Sequence, residues 1–181
     1  MIYLGWDPGL RFLGWGVLDL GPSSSRALGH GVLGEASDRP WNDRLDELAG
    51  GIDEIMNRFL PDVVAYEDQA GVEVAMQRDG EGTNYSSRRL HEVCGMIRFA
   101  ARAALSEPVP CYCAQPRSVK VALLGSGHGS AEKSQVQRAV RMLFGVQTNQ
   151  HACDALAVAV CGSRMHRRAV LGQRRSAALI R

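Results

Sequence analysis

Residues 2–20, I-Y-L-G-W-D-P-G-L-R-F-L-G-W-G-V-L-D-L, decide the fold. The apolar run at 2–6 ends at Asp7. Asp7-Pro8-Gly9-Leu10 has the residue types of a turn. Residues 12–20 are apolar and glycine-bearing and read as a second strand. Gly21-Pro22-Ser23-Ser24-Ser25 is a loop signal, and a weaker strand follows over 26–33. Three strands with short connections imply an antiparallel meander.

Farther along, Leu45, Leu48, Ile52, Ile55, Met56 and Phe59 recur at helical spacing and predict a helix over 42–59. Gly50-Gly51 weakens it by about 1 kcal/mol per glycine, and Pro61 marks its end. The continuous apolar run at 63–67, V-V-A-Y-E, predicts a strand buried on both faces. Residues 68–84 are polar and read as a loop. Helices are expected over 86–105, 116–124 and 131–144, and a strand over 109–114. Ser130 is the expected cap of the fourth helix. A last helix begins near Gln150 or His151. The fold class is α/β, a five-stranded mixed sheet flanked by helices. One domain is expected over 1–165, with a basic tail over 166–181.

The 181 residues carry 21 Lys and Arg against 19 Asp and Glu, a net charge of +2, so composition alone announces no polyanionic partner. The distribution says more. No carboxylate follows Asp154, but six arginines do: Arg164, Arg167, Arg168, Arg174, Arg175 and Arg181. Such a tail either meets phosphates or is simply solvated. Five cysteines, an odd number without a C-x-x-C pair, fit a reduced, intracellular chain. Cys111 and Cys113 fall on one strand face, and no second pair completes a zinc set. No signal peptide is visible at the opening apolar stretch, and no run reaches the ~18 apolar residues of a membrane span. The expected location is the cytoplasm.

Four residues carry the chemistry. Asp7 and Glu67 end strands expected to be neighbours. His151 and Asp154 lie three apart at the head of H-A-C-D-A-L-A-V-A-V, so they share a helix face. Taken singly, Asp7 is a turn former, Glu67 a solvated strand end and His151 a satisfied helix-start histidine. Asp154 resists that reading because it opens a helix that must be buried. Two carboxylates ~4 Å apart repel by about 4 kcal/mol at an effective dielectric of ~20. Three converging carboxylates therefore need a cation, and an oxygen-rich site suits Mg²⁺ or Mn²⁺. A pair of such ions clamps the attacking and leaving oxygens of a phosphodiester.

These segments resemble the RuvC family of Holliday junction resolvases. M-I-Y-L-G-W-D-P-G-L-R-F-L-G-W-G-V is similar to the family's opening, and V-V-A-Y-E to its second carboxylate strand. P-R-S-V-K followed by G-S-G-H-G-S-A-E-K-S-Q-V is similar to its lysine-bearing segment, and H-A-C-D-A-L-A-V-A-V to its last acidic helix. The resemblance runs in order from residue 1 to about 162, most of the chain. It implies an RNase H-like nuclease fold, a homodimer and Mg²⁺- or Mn²⁺-dependent, paired nicking of four-way DNA junctions in recombination and repair. It implies 5′-phosphate and 3′-hydroxyl ends and a possible branch-migration helicase partner. It makes Asp7, Glu67, His151 and Asp154 the ligands of two ions per site, and Lys120 and Lys133 the functional lysines. Lysine near a scissile phosphate offsets developing charge, and Lys133 also falls in a helix's first turn, where N–H groups favour anions.

Two departures stand out. The segment after Glu67, Asp68-Gln69-Ala70, lacks the aromatic wedge that the resemblance implies, Tyr85 being the nearest candidate. Arg78, Arg88 and Arg89 are candidate phosphate contacts there, with exposed helix arginines as the alternative. At the third ligand position, where some relatives have Asp, His151 removes a charge and adds a softer donor, which predicts a shift toward Mn²⁺. A two-domain ATPase of the actin or sugar-kinase type needs a longer chain and a second phosphate loop. A non-catalytic junction binder would lack a carboxylate. A nuclease with a broader branched-DNA or RNA range remains the alternative.

Overall fold

A computed structural model describes residues 1–22, 25–35, 38–68, 83–103 and 107–179. One mixed sheet runs in the order β3-β2-β1-β4-β5. Strands β1 (Ile2–Asp7), β2 (Leu13–Leu20) and β3 (Ser25–Leu33) form the expected antiparallel meander. Helix α1 (Trp41–Phe59) crosses to β4 (Val63–Glu67), which pairs parallel with β1 and sets Trp6 beside Tyr66. Helix α2 (Thr83–Ala103) leads to β5 (Cys111–Ala114), parallel to β4. Helices α3 (Pro116–Leu124), α4 (Lys133–Phe144) and α5 (Gln150–Leu179) complete the chain. This is the expected five-stranded α/β architecture.

Three element starts differ from the sequence reading by two residues or more. β5 starts at Cys111 rather than 109, because Pro108 and Pro110 have no N–H to give a ladder. Val109 instead donates its N–H to the Ala101 carbonyl at 2.9 Å. α2 begins at Thr83. α4 begins at Lys133, so its cap is Glu132 and not Ser130. The Glu132 carboxylate accepts the Gln135 N–H, and Gln135 Oε1 accepts the Glu132 N–H at 2.9 Å, a reciprocal capping box. Two hydrogen bonds there outcompete the single one a serine hydroxyl offers. α5 runs unbroken to Leu179, so much of the expected tail is helical. Among the described residues no helix is long and apolar enough to cross a membrane.

Strand alternation divides the core in two. On one face Leu4 and Trp6 of β1, Leu13 and Val17 of β2, and Val64 and Tyr66 of β4 pack with Leu48, Ile52 and Met56 of α1 and Val93 and Ile97 of α2. Burying each large side chain there contributes about 1.5–3 kcal/mol. On the other face Tyr3, Leu18, Val63, Ala65 and Ala114 meet α3, α4 and the apolar half of α5. Cys153 and Cys161 are buried on this second face as small core residues. Asp7 and Glu67 have the parity of Tyr3 and Val63, so they too point toward α5.

Candidate active site

The site is assembled where the second face reaches the strand ends. The Trp6–Tyr66 pairing leaves Asp7 and Glu67 side by side at the ends of β1 and β4. What brings α5 down onto them is the absence of side chains beneath it. A Cβ on Gly5 would overlap the Ala155 carbonyl and the Ala159 backbone, and one on Gly14, opposite Asp7, would overlap the His151 carbonyl. With glycine at both positions, helix backbone rests almost directly on strand backbone. α5 starts where Asn149 Oδ1 accepts the Ala152 N–H at 2.9 Å, a side-chain cap that fixes the first turn. His151 and Asp154 therefore enter from above with little slack.

His151 Nδ1 and Asp7 Oδ2 are 2.9 Å apart. Asp7 is the more buried partner, its side chain 12% exposed against 40% for His151. An ionised Asp7 accepts the Nδ1–H, which leaves Nε2 with the free lone pair. The Phe12 ring lies 5.8 Å from the imidazole and supports it from the turn side. Glu67 also shares a hydrogen bond with Asp7, and the Gln150 side chain bonds Asp154.

The electrostatics show a centre short of positive charge. Burial, and next the charges of Asp7 and Asp154, push the Glu67 carboxyl up to about 7. Burial and the Asp7 charge push Asp154 up to about 6. Burial also raises Asp7, against the opposing pull of His151. Lys133 acts on all three carboxylates, and Lys120 on Glu67. Lys133 is exposed and Lys120 half-buried. Because the Glu132 carboxylate already occupies the start of α4, Lys133 acts through its ammonium group and not through backbone N–H groups.

Among the described residues, no three His, Cys, Asp or Glu side chains are gathered into a finished coordination shell. The donor set nevertheless fits a hard divalent cation: three carboxylates whose burial disfavours their charge, and an imidazole.

The other expected contacts are dispersed. The Arg89 guanidinium lies 4.9 Å from the Trp41 ring centre, so it packs against α1, on the sheet face away from α5. Arg88 is exposed on α2. Arg78 and the segment over 69–82 lie outside the described residues, as does the Tyr85 side chain. Sequence reasoning passes over three residues that shape the centre: Phe12, Asn149 and Gln150. Asn149 is detectable, as Asn is a preferred helix cap. Phe12 and Gln150 carry no local signal of their role.

Residues 3–162 match the family model for crossover junction endodeoxyribonuclease RuvC. The chain is 35% identical over 168 residues to the crossover junction endodeoxyribonuclease RuvC of Maricaulis maris, covering 92% of each protein. It is 31% identical to that of Brucella ovis, over 98% of this chain and 95% of the relative. The RuvC structure from Thermus thermophilus superposes with a TM-score of 0.75 at 30% identity, covering 93% of this chain and 97% of that one. The same protein has been solved in complex with a Holliday junction substrate. With the family model matched over nearly the whole chain, relatives above 30% identity and the sheet order in place, the chain belongs to the RuvC family of crossover junction endodeoxyribonucleases.

Proposed function

We propose that this protein resolves four-way DNA junctions in recombination and repair, nicking two strands symmetrically to leave 5′-phosphate and 3′-hydroxyl ends. The observation that carries this reading is the meeting of Asp7, Glu67, His151 and Asp154 at one end of the sheet, in a chain of this family. Asp7, Glu67 and Asp154 are the oxygen donors for a pair of Mg²⁺ or Mn²⁺ ions, with His151 as the nitrogen donor. Bound there, the ions supply Lewis acidity and lower the pKa of water.

The chain's own residues do the rest. Asp7 holds the His151 tautomer through Nδ1. Gln150 orients the Asp154 carboxyl. Lys133 and Lys120 draw the phosphodiester toward the carboxylates and offset charge that grows during hydrolysis. Arg78 and Arg88 contact backbone phosphates beside the junction centre, and Arg89 steadies α2 through Trp41. A homodimer presents two such centres, which matches the two nicks. The protein acts in the cytoplasm alongside a branch-migration helicase.

The test compares a four-way junction, a flap and a linear duplex, each with Mg²⁺ and with Mn²⁺. Paired nicking confined to the junction is expected. Equal cutting of all three substrates would reject the resolvase reading in favour of a broader nuclease.

A further inference from the structure

Between α3, the end of β5 and the middle of α5 is a cavity of about 380 Å³. Arg117, Arg164 and Arg168 line it, together with Ser118, over an apolar floor that includes Val121 and Met165. Among the described residues no carboxylate lines it, and none follows Asp154 anywhere on α5. All three arginines are exposed. Their side chains come from two different helices, so the convergence is tertiary and not a run of like charges along one surface.

We propose that this cavity is a second phosphate site, which holds one backbone phosphate of the same DNA strand whose scissile phosphodiester, a few nucleotides away, lies at the carboxylates. Guanidinium groups suit the task because their paired N–H groups match phosphate oxygens. The cavity adjoins the active site through two links. Cys113, on its wall, directly precedes Ala114, the residue paired with Glu67 across the β4–β5 ladder. Helix α3 carries Arg117 toward the cavity and Lys120 toward Glu67. Asp154 and Cys161 are seven residues apart on α5, about 10 Å at 1.5 Å per residue. Arg164 and Arg168 lie further along the same helix. At about 3.4 Å per nucleotide along a strand, the captured phosphate is about three to five nucleotides from the cut. Gly129 helps place Arg117: a Cβ there would stand 2.7 Å from Arg117 Cγ and 2.8 Å from its Nε.

This inference rests on the junction-resolving reading, and its test separates the two. Junctions carrying a single neutral methylphosphonate at successive positions are bound by the protein in a metal chelator, so no cutting intervenes. Wild type is expected to lose affinity on the order of tenfold at one position three to five nucleotides from the cut, as a charge-assisted contact disappears. The double variant Arg164→Gln/Arg168→Gln, whose side chains are exposed and leave the fold intact, should bind every junction equally weakly at that position, charged or neutral. Arg174→Gln, an exposed arginine outside the cavity, should keep the wild-type pattern. Gly129→Ala, which changes no charge, should blunt the dip by displacing Arg117. If the double variant shows the same dip as wild type, the second phosphate site is wrong. Nicking of the unmodified junction by wild type with Mn²⁺ is run beside it. Its failure would instead remove the resolvase reading.

Discussion

The two faces of the sheet are built on opposite plans. Facing α1 and α2, the strands present Leu4, Trp6, Leu13, Val17 and Val64, large side chains that are fully buried. Facing α5, β1 and β2 present Gly5 and Gly14, and the helix answers with Ala155 and Ala159. The first plan buries the most apolar area per residue and stabilises the fold. The second brings backbones together and holds Asp7, Glu67, His151 and Asp154 in fixed relation. Bulk stabilises one face, and smallness positions the four candidate ligands on the other.

That contrast can be broken most severely at the carboxylates. Asp154→Asn keeps the shape of α5 and removes a donor. Junction nicking should fall on the order of a thousandfold or more, about 4 kcal/mol of transition-state stabilisation. Junction affinity measured in chelator should stay within a few-fold of wild type, and a collapse of affinity would make Asp154 structural. On the opposite face, Ile52→Ala should cost about 2–5 kcal/mol of stability in denaturant unfolding. Its nicking rate per folded molecule should remain near wild type.

A subtler effect concerns pH. Glu67 and Asp154 titrate near 7 and 6 in the folded protein, against ordinary values of 4.5 and 3.8. Between those limits the folded state binds more protons than the unfolded chain, so stability falls as pH rises from about 4 to about 7. Thermal melts without divalent cations should show Tm declining across this window. Adding Mn²⁺ should raise Tm more at pH 8 than at pH 5, since the carboxylates accept an ion only once ionised. A flat Tm profile, or equal metal effects at both pH values, would contradict the shared-site electrostatics. The smallest effect is expected at His151. His151→Asp should shift the ratio of Mn²⁺- to Mg²⁺-supported nicking toward Mg²⁺ by a few-fold, and unchanged metal profiles would show that the imidazole does not set the preference.

Much of this design is legible in the chain. The meander follows from the turn residues at 8–10 and 21–25, and the crossover from the helical spacing of Leu48, Ile52 and Met56. Alternation along β1 and β4 places Asp7 with Tyr3 and Gly5, and Glu67 with Val63 and Ala65, on a single face. The depth to which α5 settles is not legible, because the atoms that Gly5 and Gly14 accommodate belong to the far end of the chain. Nor is the His151–Asp7 pairing, which exists only once that settling has happened. The α4 start escapes the sequence for a local reason: Ser130 is a good cap by type, but Glu132 and Gln135 form two bonds where serine forms one. The cavity between α3 and α5 is equally tertiary, although the carboxylate-free stretch after Asp154 hints at it.

The glycine-supported approach of α5 is tested most directly by the single-turnover junction-nicking rate of Gly5→Ala, normalised to folded protein. The new methyl group meets the Ala155 and Ala159 backbone and must lift the helix that carries His151 and Asp154. A displacement near 1 Å at a catalytic centre costs on the order of a hundredfold. A fall of that size, with Ile52→Ala remaining near wild type, is the expected result. Wild-type nicking by folded Gly5→Ala would contradict the glycine-supported approach.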